Sequence, residues 1–289
     1  MSIHRVWEDL PASVRDAVER HVGQVIKTDH ASAGRNSDLT VSLWTADGVV
    51  FVKGIAADAP NVYMHRAEAA VSAFLPSDLA PQLLWEIEED GWYLLGFEHV
   101  AGRPADYEPG SSDLSLVAEA VRIIGRTAAP PLGVARRVMA QQWATALKGA
   151  LNTKLPDDAH PWSVTNITLL AEWAAQAPAH MGGSNLIHSD LHSTNVLVSD
   201  RARLVDWAWW RSGAAWIDPA MLIIRLIAEG HRPEHAENWA RQFAGFAQAS
   251  AEALTVFAAS VLRLWERKFP TTDATAAARQ WAKYRLSQH

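Results

Sequence analysis

Residues 186–206 limit the possible folds of this chain more than any other segment. The segment reads LIHSDLHSTNVLVSDRARLVD, and its two short apolar runs are separated by the polar turn 199–201, which is typical of a β-hairpin. Asp190 and Asn195 stand five residues apart in a loop, and Asp206 follows at the end of the second strand. We therefore expect a fold in which this polar loop lies beside a strand that ends in a carboxylate.

The three polar side chains suit phosphoryl transfer to a hydroxyl. Such a transfer needs a carboxylate that accepts the proton of the hydroxyl, and oxygen ligands that hold magnesium against the phosphates. Asp190 suits the first task, and Asn195 with Asp206 suits the second, because Mg²⁺ prefers carboxylate and amide oxygens. The alternative is an ordinary hairpin, in which Asp, Asn and Ser are common for backbone reasons.

These motifs resemble those of the aminoglycoside phosphotransferase and choline kinase-like family, which has the protein-kinase-like fold. His188-Ser189-Asp190 with Asn195 is similar to the catalytic loop of the family, and Leu204-Val205-Asp206-Trp207 is similar to its magnesium strand. The resemblance implies an α+β, two-lobed fold with a small antiparallel-sheet N-lobe and a larger, mostly helical C-lobe. It also implies ATP or GTP as the donor, Asp190 as the catalytic base, and Asn195 and Asp206 as ligands of Mg²⁺.

The loop differs from the family pattern at Ser189, where the family usually has Gly, but no reacting group is lost. We expect His188 to orient the loop through hydrogen bonds to the backbone. His192 is either a substrate contact or a loop residue without a role. Trp207 and Trp209 are candidates for stacking on a sugar or a planar ring, and core packing is the alternative for both.

The composition restricts the class of protein. With 289 residues, of which 49% are hydrophobic and 20% charged, the chain has the composition of a soluble globular protein with one or two domains. The absence of Cys excludes disulfides and thiolate metal sites. There is neither a signal peptide nor a membrane-length apolar run, so we expect a cytoplasmic enzyme without a membrane partner. The net charge of -6, without a basic block, predicts no nucleic-acid partner.

The first hundred residues predict an antiparallel sheet with one main helix. In residues 25–55, β-branched residues alternate with polar ones, and Asp47-Gly48 marks a tight hairpin, which predicts three antiparallel strands. Residues 6–22 have apolar positions four apart and predict a first helix. Residues 61–75 predict the main helix, and two further strands flank the turn 88–91.

Lys53 lies on the apolar face of one predicted strand, together with Val49 and Phe51. A lysine at an inward position is costly unless an anion pairs with it. The resemblance implies two such anions, namely nucleotide phosphates and a Glu on the following helix, where Glu68 stands. The alternatives are a strand-end lysine that reaches solvent and an exposed helical glutamate.

The turn 33–37 is the predicted cover of the phosphate tail. Backbone amides in a small-residue turn at Gly34 can approach phosphate oxygens, and Asn36 and Ser37 add donors. An ordinary hairpin turn has the same composition, and both interpretations stay open.

The run LLGFEHVAG resembles the hinge of the family, where adenine would bond to the backbone near Glu98 and Val100. The predicted organisation is a nucleotide-binding lobe over residues 1–97, a hinge over residues 98–102, and a catalytic and acceptor-binding lobe over residues 103–289.

The second lobe is predicted to be helical. Helical patterns cover 114–126, 134–151 and 164–176, and they form a scaffold for the catalytic loop. Asp218 is predicted to cap a helix over 219–229. A bond from Asp218 to the catalytic loop is the alternative.

The acceptor is expected to be small, because the chain after Asp206 lacks the long activation segment of protein kinases. Aminoglycosides are polycations, but the C-terminal helices, which line the acceptor pocket in the family, carry more cations than acids. The cations are Arg263, Arg267, Lys268, Arg279, Lys283 and Arg285, against Glu266 and Asp273. We therefore expect a neutral, aromatic or positive pocket, with a solvated helix face as the alternative.

The sequence thus predicts an ATP- or GTP-dependent O-phosphotransferase that acts on a hydroxyl of a small molecule, such as an antibiotic or a sugar-like metabolite. Antibiotic resistance and metabolism are both open as its role. One alternative is a nucleotide-binding pseudokinase or regulatory module without transfer activity. Another is a metabolic kinase for choline or homoserine. The sequence makes no prediction of the oligomeric state.

Overall fold

The computed structural model describes residues 5–31, 36–131, 138–151 and 154–289. The chain divides into two compact units. The first unit contains Met1–Pro104 and Thr194–Trp209, and the second contains Ala105–Ser193 and Trp210–His289. The predicted lobe boundaries at residues 97 and 102 stay a prediction. The segment Thr194–Trp209 belongs to the first unit, although the sequence did not indicate this.

The described residues form ten strands and twelve α-helices, together with three short 3-10 helices. The strands are β1 (Lys27–His30), β2 (Leu39–Thr45), β3 (Gly48–Ala56), β4 (Leu83–Glu89), β5 (Trp92–Glu98), β6 (Arg103–Pro104), β7 (Asn185–Ile187), β8 (Val196–Val198), β9 (Ala202–Leu204) and β10 (Arg211–Gly213). The helices are α1 (Ala12–Val22), α2 (Val62–Ser72), α3 (Asp113–Ile124), α4 (Met139–Leu151), α5 (Pro161–Thr165), α6 (Ile167–Ala174), α7 (Ala177–His180), α8 (Ile217–Ala228), α9 (Pro233–Ala240), α10 (Ala244–Ala247), α11 (Ala251–Lys268) and α12 (Asp273–Leu286).

The first unit is built on a five-stranded sheet in the order β1-β2-β3-β5-β4, with every neighbouring pair antiparallel. The strands and the hairpin predicted from the sequence are present, and Thr45 pairs with Gly48 across the tight turn. One face of the sheet packs against the apolar stripe of α1. Val14, Val18 and Val22 of this helix join a core with residues of β2, β3 and β5. Burial of this stripe stabilises the helix, because an isolated helix of this length is marginal in water.

A smaller sheet in the order β6-β8-β9 completes the first unit. The β8–β9 hairpin agrees with the hairpin predicted around the turn 199–201, and β6 pairs with β8 through Arg103 and Val198. The backbone N–H of Leu204 also donates to the carbonyl of Leu79 at 2.7 Å. These bonds fix the end of β9, and therefore the position of the residues that follow it.

The second unit is mostly helical. Its core contains α8, of which ten residues are buried, packed against α9 and α12. Ser250 and Thr272 cap α11 and α12, because their hydroxyls accept backbone N–H bonds from Ala253 and Thr275. None of the helices in the described ranges has the length and hydropathy of a membrane-spanning segment.

The predicted helices of the second unit differ from the observed ones mainly at their ends. The predicted helix 134–151 is observed as α4 from Met139, and residues 132–137 lie outside the described residues. The predicted helix 164–176 is observed as α5 and α6, which are separated at Asn166. The Asn166 amide donates to the carbonyl of Trp162 at 2.8 Å, which ends α5.

Candidate functional site

Three of the predicted site residues meet in the first unit. Lys53 comes from β3, Glu68 from α2, and Asp206 follows β9. The ammonium of Lys53 donates to both oxygens of Glu68, at 2.9 and 3.0 Å, and to Oδ1 of Asp206 at 2.8 Å. The predicted pairing of Lys53 with Glu68 is therefore present. The side chains of Lys53 and Glu68 are 11% and 5% exposed, whereas that of Asp206 is 38% exposed.

The pKa values in this cluster are set by one cation, Lys53, that pairs with two acids, Glu68 and Asp206. Burial alone would lower the pKa of Lys53, but the charges and hydrogen bonds of Asp206 and Glu68 outweigh it and raise that pKa. Burial raises the pKa of Glu68, and the Asp206 charge adds to the effect while Lys53 opposes it. The lysine is therefore charged at neutral pH, and with both acids ionised the cluster carries a net negative charge.

The residues after β9 hold this cluster from the backbone. Asp206 has a left-handed backbone with φ 61°, which is uncommon for a residue with a side chain. The backbone N–H of Trp207 donates to Oε1 of Glu68 at 3.1 Å, and its indole N–H donates to the carbonyl of Leu204 at 2.9 Å. The ring of Trp207 is thus packed inside the first unit, where it is 2% exposed, and Trp209 is half-buried.

A cavity of about 210 Å³ in the first unit opens beside the cluster. Its walls are mainly apolar and include Phe51, Leu75, Phe97, Leu197 and Val205. The three charged residues of the cluster also line it. Such a cavity can bind a flat apolar ring system at its walls and an anionic group near the ammonium.

The predicted hinge residues lie along the same cavity. Glu98 and Val100 both line it, but the carboxylate of Glu98 is held by Arg203 through two bonds of 2.7 Å. The pKa of Glu98 is lowered, mainly by the hydrogen bond from Arg203. The guanidinium of Arg203 also donates to the carbonyl of Ala80 at 2.8 Å. The side chain of Glu98 therefore fixes the end of β5 to β9, a role that the sequence did not predict.

The predicted phosphate-covering turn is only partly described. Gly34 lies outside the described residues. The carbonyl of Asn36 accepts a bond from the Asn61 amide at 3.0 Å, and the hydroxyl of Ser37 contacts Nε2 of His65 at 3.0 Å. His65 is 3% exposed, and burial and the nearby charge of Lys53 lower its pKa to about 4.

His65 was absent from the sequence prediction, although it precedes Glu68 by three residues. Side chains three apart lie on the same face of a helix. Once Glu68 is assigned an inward position, the same face includes His65, and that spacing is the signal that could have found it.

The predicted magnesium ligands both belong to the first unit. The carbonyl of Asn195 accepts the backbone N–H of Val205 at 2.9 Å, which bonds the start of β8 to the residue before Asp206. An amide and a carboxylate oxygen fit the ligand preference of Mg²⁺. Within the described ranges, no three His, Asp or Glu side chains cluster as a metal site by themselves. Oxygens of a bound phosphate would therefore have to complete the coordination.

The predicted catalytic base Asp190 and the predicted loop residue His188 lie in the second unit, where α8 binds the loop after β7. The carboxylate of Asp218 accepts the backbone N–H groups of His188 and Ser189, both at 2.8 Å. The prediction that Asp218 caps its helix was wrong, because α8 begins at Ile217 and the carboxylate points to the loop. The alternative, a bond from Asp218 to the loop that carries Asp190, is confirmed. Burial raises the pKa of Asp218, and the electrostatic interaction with His188 and the two N–H bonds oppose this rise.

The loop itself has an unusual backbone at Ser189, with φ 65°. His188 is fully buried, and its Nδ1 accepts the backbone N–H of Asp190 at 3.3 Å. Nη2 of Arg225 donates to Oδ1 of Asp190 at 3.2 Å, and the side chains are 15% and 35% exposed. His192 is exposed. The sequence prediction missed Arg225, whose signal is its position as a lone cation in an otherwise apolar stretch of helix.

Several cations of the C-terminal helices are buried in the protein interior, which the sequence did not indicate. Arg263, Arg279 and Arg285 are buried. Arg279 binds Glu266 at 2.9 Å, and Arg285 lies 3.4 Å from Glu237. Three of the six cations that the sequence analysis assigned to the C-terminal helices are thus buried. The charge of the acceptor pocket therefore cannot be estimated by counting the charged residues of these helices.

Comparison with known proteins agrees with this geometry. The profile of the phosphotransferase enzyme family matches residues 31–255. No curated protein matches the chain in sequence. Solved structures do resemble it over most of its length.

A thermostable mutant of aminoglycoside phosphotransferase APH(4)-Ia, in a ternary complex with AMP-PNP and hygromycin B, has a TM-score of 0.66 and 14% identity, and the match covers 96% of this chain and 98% of that one. Choline kinase LicA from Streptococcus pneumoniae has a TM-score of 0.61 and 12% identity, with 96% and 98% covered. The GDP complex of aminoglycoside 2'-phosphotransferase-IIIa has a TM-score of 0.62 and 12% identity, with 96% and 99% covered. These likenesses confirm the predicted protein-kinase-like α+β fold.

Proposed function

Because the chain belongs to the phosphotransferase enzyme family and is a small-molecule kinase, we propose that it transfers the terminal phosphoryl group of ATP or GTP to a hydroxyl of its substrate. One observation carries the proposal. The ion-paired cluster of Lys53, Glu68 and Asp206 lies at a cavity whose other walls are mainly apolar. A purine base needs such walls, and a triphosphate needs the cation.

The donor is proposed to bind in the first unit. The base would lie against the apolar walls near Glu98 and Val100, with its polar edge toward the backbone. Lys53, held in place by Glu68, would contact the phosphates as a charged donor. Ser37, Asn36 and Gly34 are proposed to cover the phosphate tail. Complexes of relatives with AMP-PNP and with GDP support a nucleotide donor without deciding between ATP and GTP.

Asn195 and Asp206 are proposed to hold Mg²⁺. When bound, the ion would neutralise part of the negative charge of the phosphates. With both of its acids ionised, the Lys53 cluster carries a negative charge that favours a divalent cation beside Asp206. Asp206 would then bind the metal in place of Lys53. The ammonium of Lys53 would be available to donate to the phosphates.

Asp190 is proposed to act on the acceptor. It would orient the acceptor hydroxyl and accept its proton while the hydroxyl oxygen bonds to the terminal phosphorus. The bond from that phosphorus to the bridging oxygen breaks, and the nucleoside diphosphate leaves. Since the transition state is loose, positioning and charge neutralisation supply most of the acceleration. His188 and Asp218 are proposed to hold the loop that carries this base.

The acceptor is proposed to be a small hydroxylated molecule. One structural relative, an aminoglycoside phosphotransferase, is in a complex with hygromycin B, and another is a choline kinase. Arg225 places a positive charge beside Asp190, which disfavours a polycation at this position. His192, which is exposed on the loop, is a candidate acceptor contact. The proposed location is the cytoplasm, where nucleoside triphosphates are available.

The test combines an acceptor panel with three variants of the full chain. Formation of nucleoside diphosphate is measured with antibiotics, amino alcohols and sugars, with ATP and with GTP. Asp190→Asn should abolish transfer while nucleotide affinity is kept, and Asp206→Asn should weaken binding of the magnesium nucleotide. Asp200→Asn is the matched control, because this exposed aspartate lies in the turn between the two proposed ligands.

Two results would contradict the proposal. Undiminished turnover of Asp190→Asn would reject the assigned base. A wild-type chain that binds nucleotide but transfers to no acceptor, while Asp190→Asn behaves identically, would favour the nucleotide-binding module.

A further inference from the structure

Helix α8 contains two charged residues, Asp218 and Arg225, in an otherwise uncharged sequence, IDPAMLIIRLIA. They are seven residues apart, which is close to two turns, so both side chains project from the same face. Asp218 accepts the backbone N–H groups of residues 188 and 189, and Arg225 donates to the side chain of residue 190. One face of one helix therefore binds three consecutive residues of the loop.

The guanidinium of Arg225 is fixed on its other side by an aromatic ring. Its central carbon lies 5.3 Å from the centroid of the Trp265 ring, which comes from α11. A cation over an indole face is attracted by the ring, more strongly when water is excluded. The Tyr107 hydroxyl, from the chain before α3, donates to the carbonyl of Leu191 at 3.2 Å and closes the loop from another side.

The placement of Arg225 is costly for stability. Its Nε is buried and has no hydrogen-bond partner among the described residues, and its side chain is 15% exposed. A buried N–H without a partner costs free energy. A leucine or methionine would fill the same apolar helix face without that cost. Arg225 therefore contributes something other than packing.

We propose that Arg225 is a positioning residue that sets the orientation of the Asp190 carboxylate. The terminal torsion of an aspartate is broad, so the carboxylate rotates unless a neighbour holds it. A charge-assisted bond to Oδ1 from a guanidinium stacked on Trp265 restricts that rotation. This inference rests on the proposed function, because it acts through Asp190 as the base.

The inference predicts a specific kinetic pattern, measured with the best acceptor from the panel. Arg225→Met should lower kcat about 100-fold, the loss expected for a misplaced catalytic group, and should leave nucleotide affinity and the nucleotide KM within about twofold. Arg225→Lys should recover part of kcat, since it restores the charge without the planar fork.

The matched control is Arg279→Met, which removes another buried arginine of the second unit that pairs with Glu266. It should lower the melting temperature but keep kcat per folded molecule. An equal loss of kcat in Arg279→Met would overturn the inference in favour of general destabilisation.

Two further outcomes separate this inference from the proposed function. If Asp190→Asn is inactive and Arg225→Met has wild-type kcat, Arg225 does not position the base, and the proposed function stands. If Asp190→Asn keeps full turnover, both fail.

Discussion

Each unit contains one cluster of a buried acid, a more exposed acid and a cation, but the two clusters are connected differently. In the first, Lys53 binds both the buried Glu68 and the exposed Asp206. In the second, Arg225 binds the more exposed acid, Asp190, and lies over the ring of Trp265. The buried acid there, Asp218, accepts two backbone N–H groups.

The difference indicates which of the two clusters can rearrange when a ligand binds. The pair of Lys53 with Asp206 can exchange partners when phosphates and a metal arrive, because both charged groups lie at the ends of rotatable side chains. Backbone N–H groups bound to Asp218 cannot leave without a change in the loop itself. The first cluster therefore suits a site that adjusts to its ligand, and the second suits a loop whose shape must stay constant. Both include one residue with left-handed backbone, Asp206 and Ser189.

The largest expected effect is that of Lys53→Met, which leaves Glu68 as a buried charge without its partner. Removal of one member of a buried ion pair costs about 3–5 kcal/mol, and we expect that loss in the free energy of unfolding measured with denaturant. We expect kcat to fall about 10²- to 10³-fold, since a donor to the developing charge is lost.

Glu68→Gln added to Lys53→Met should recover most of the stability but not the activity, because it removes the unpaired charge. Lys27→Met is the control, since Lys27 is exposed on the same sheet. If the double variant is as unstable as the single one, the loss does not come from the unpaired charge, and the comparison fails for the first unit.

The next effect is that of Asp218→Ala, which leaves the N–H groups of His188 and Ser189 without their acceptor. Each unsatisfied buried group costs about 1–3 kcal/mol, so we expect a loss of about 3 kcal/mol in the free energy of unfolding. Asp218→Asn should lose about half as much, because its amide offers one oxygen. Hydrogen exchange of the two amides reports the loop directly. Unchanged protection of both amides would contradict the role given to Asp218.

The dependence of stability on pH should separate the two units. His65 has a folded-state pKa of about 4, below its ordinary value of 6.5. Between these values the unfolded chain binds the extra proton, so stability rises with pH through this window and is complete above it. From pH 7 to pH 5 we expect a loss of about 2 kcal/mol.

His65→Gln keeps a polar partner for Ser37 but cannot bind the proton, so it should remove most of that slope. An unchanged slope in this variant would show that another group titrates. The same slope should persist in Asp218→Asn, because His65 belongs to the first unit and Asp218 to the second.

The smallest expected effect is that of Ser189→Gly. The left-handed backbone at Ser189 costs about 1 kcal/mol for a residue with a side chain, so Gly should stabilise by about 0.5–1 kcal/mol, measured by thermal and denaturant unfolding. Ser199→Gly is the control, because Ser199 lies in an exposed turn without positive φ. It should lose a few tenths of a kcal/mol. A loss at Ser189 equal to that at Ser199 would mean that the loop backbone is not strained.

Much of the first unit could be predicted from the sequence, because its signals are local. Strand alternation and the Asp47-Gly48 turn predict the hairpins. The pairing of Lys53 with Glu68 followed from the cost of an inward lysine together with the family resemblance. The polar loop and the strand end at Asp206 were visible as short-range patterns.

The remaining features depend on contacts between distant residues. The bonds of Glu98 to Arg203 and of Arg225 to Asp190 join residues 105 and 35 positions apart. Asp218 was assigned to a cap because capping is a local pattern, whereas its partners are 30 and 29 residues away. The buried arginines of the C-terminal helices were counted as surface charge for the same reason, since periodicity does not reveal what lies opposite a helix face.

The discontinuous first unit has a consequence for synthesis on the ribosome. The five-stranded sheet is complete when residue 104 has emerged, but the segment Thr194–Trp209 must still be made. At about 5–20 residues per second, the ribosome needs roughly 5–20 s to add the intervening chain. During that interval Lys53 and Glu68 lack Asp206, and β6 lacks its partner strand β8. The nascent first unit is therefore a candidate for chaperone contact, and a fragment cut at residue 104 is a poor choice for expression.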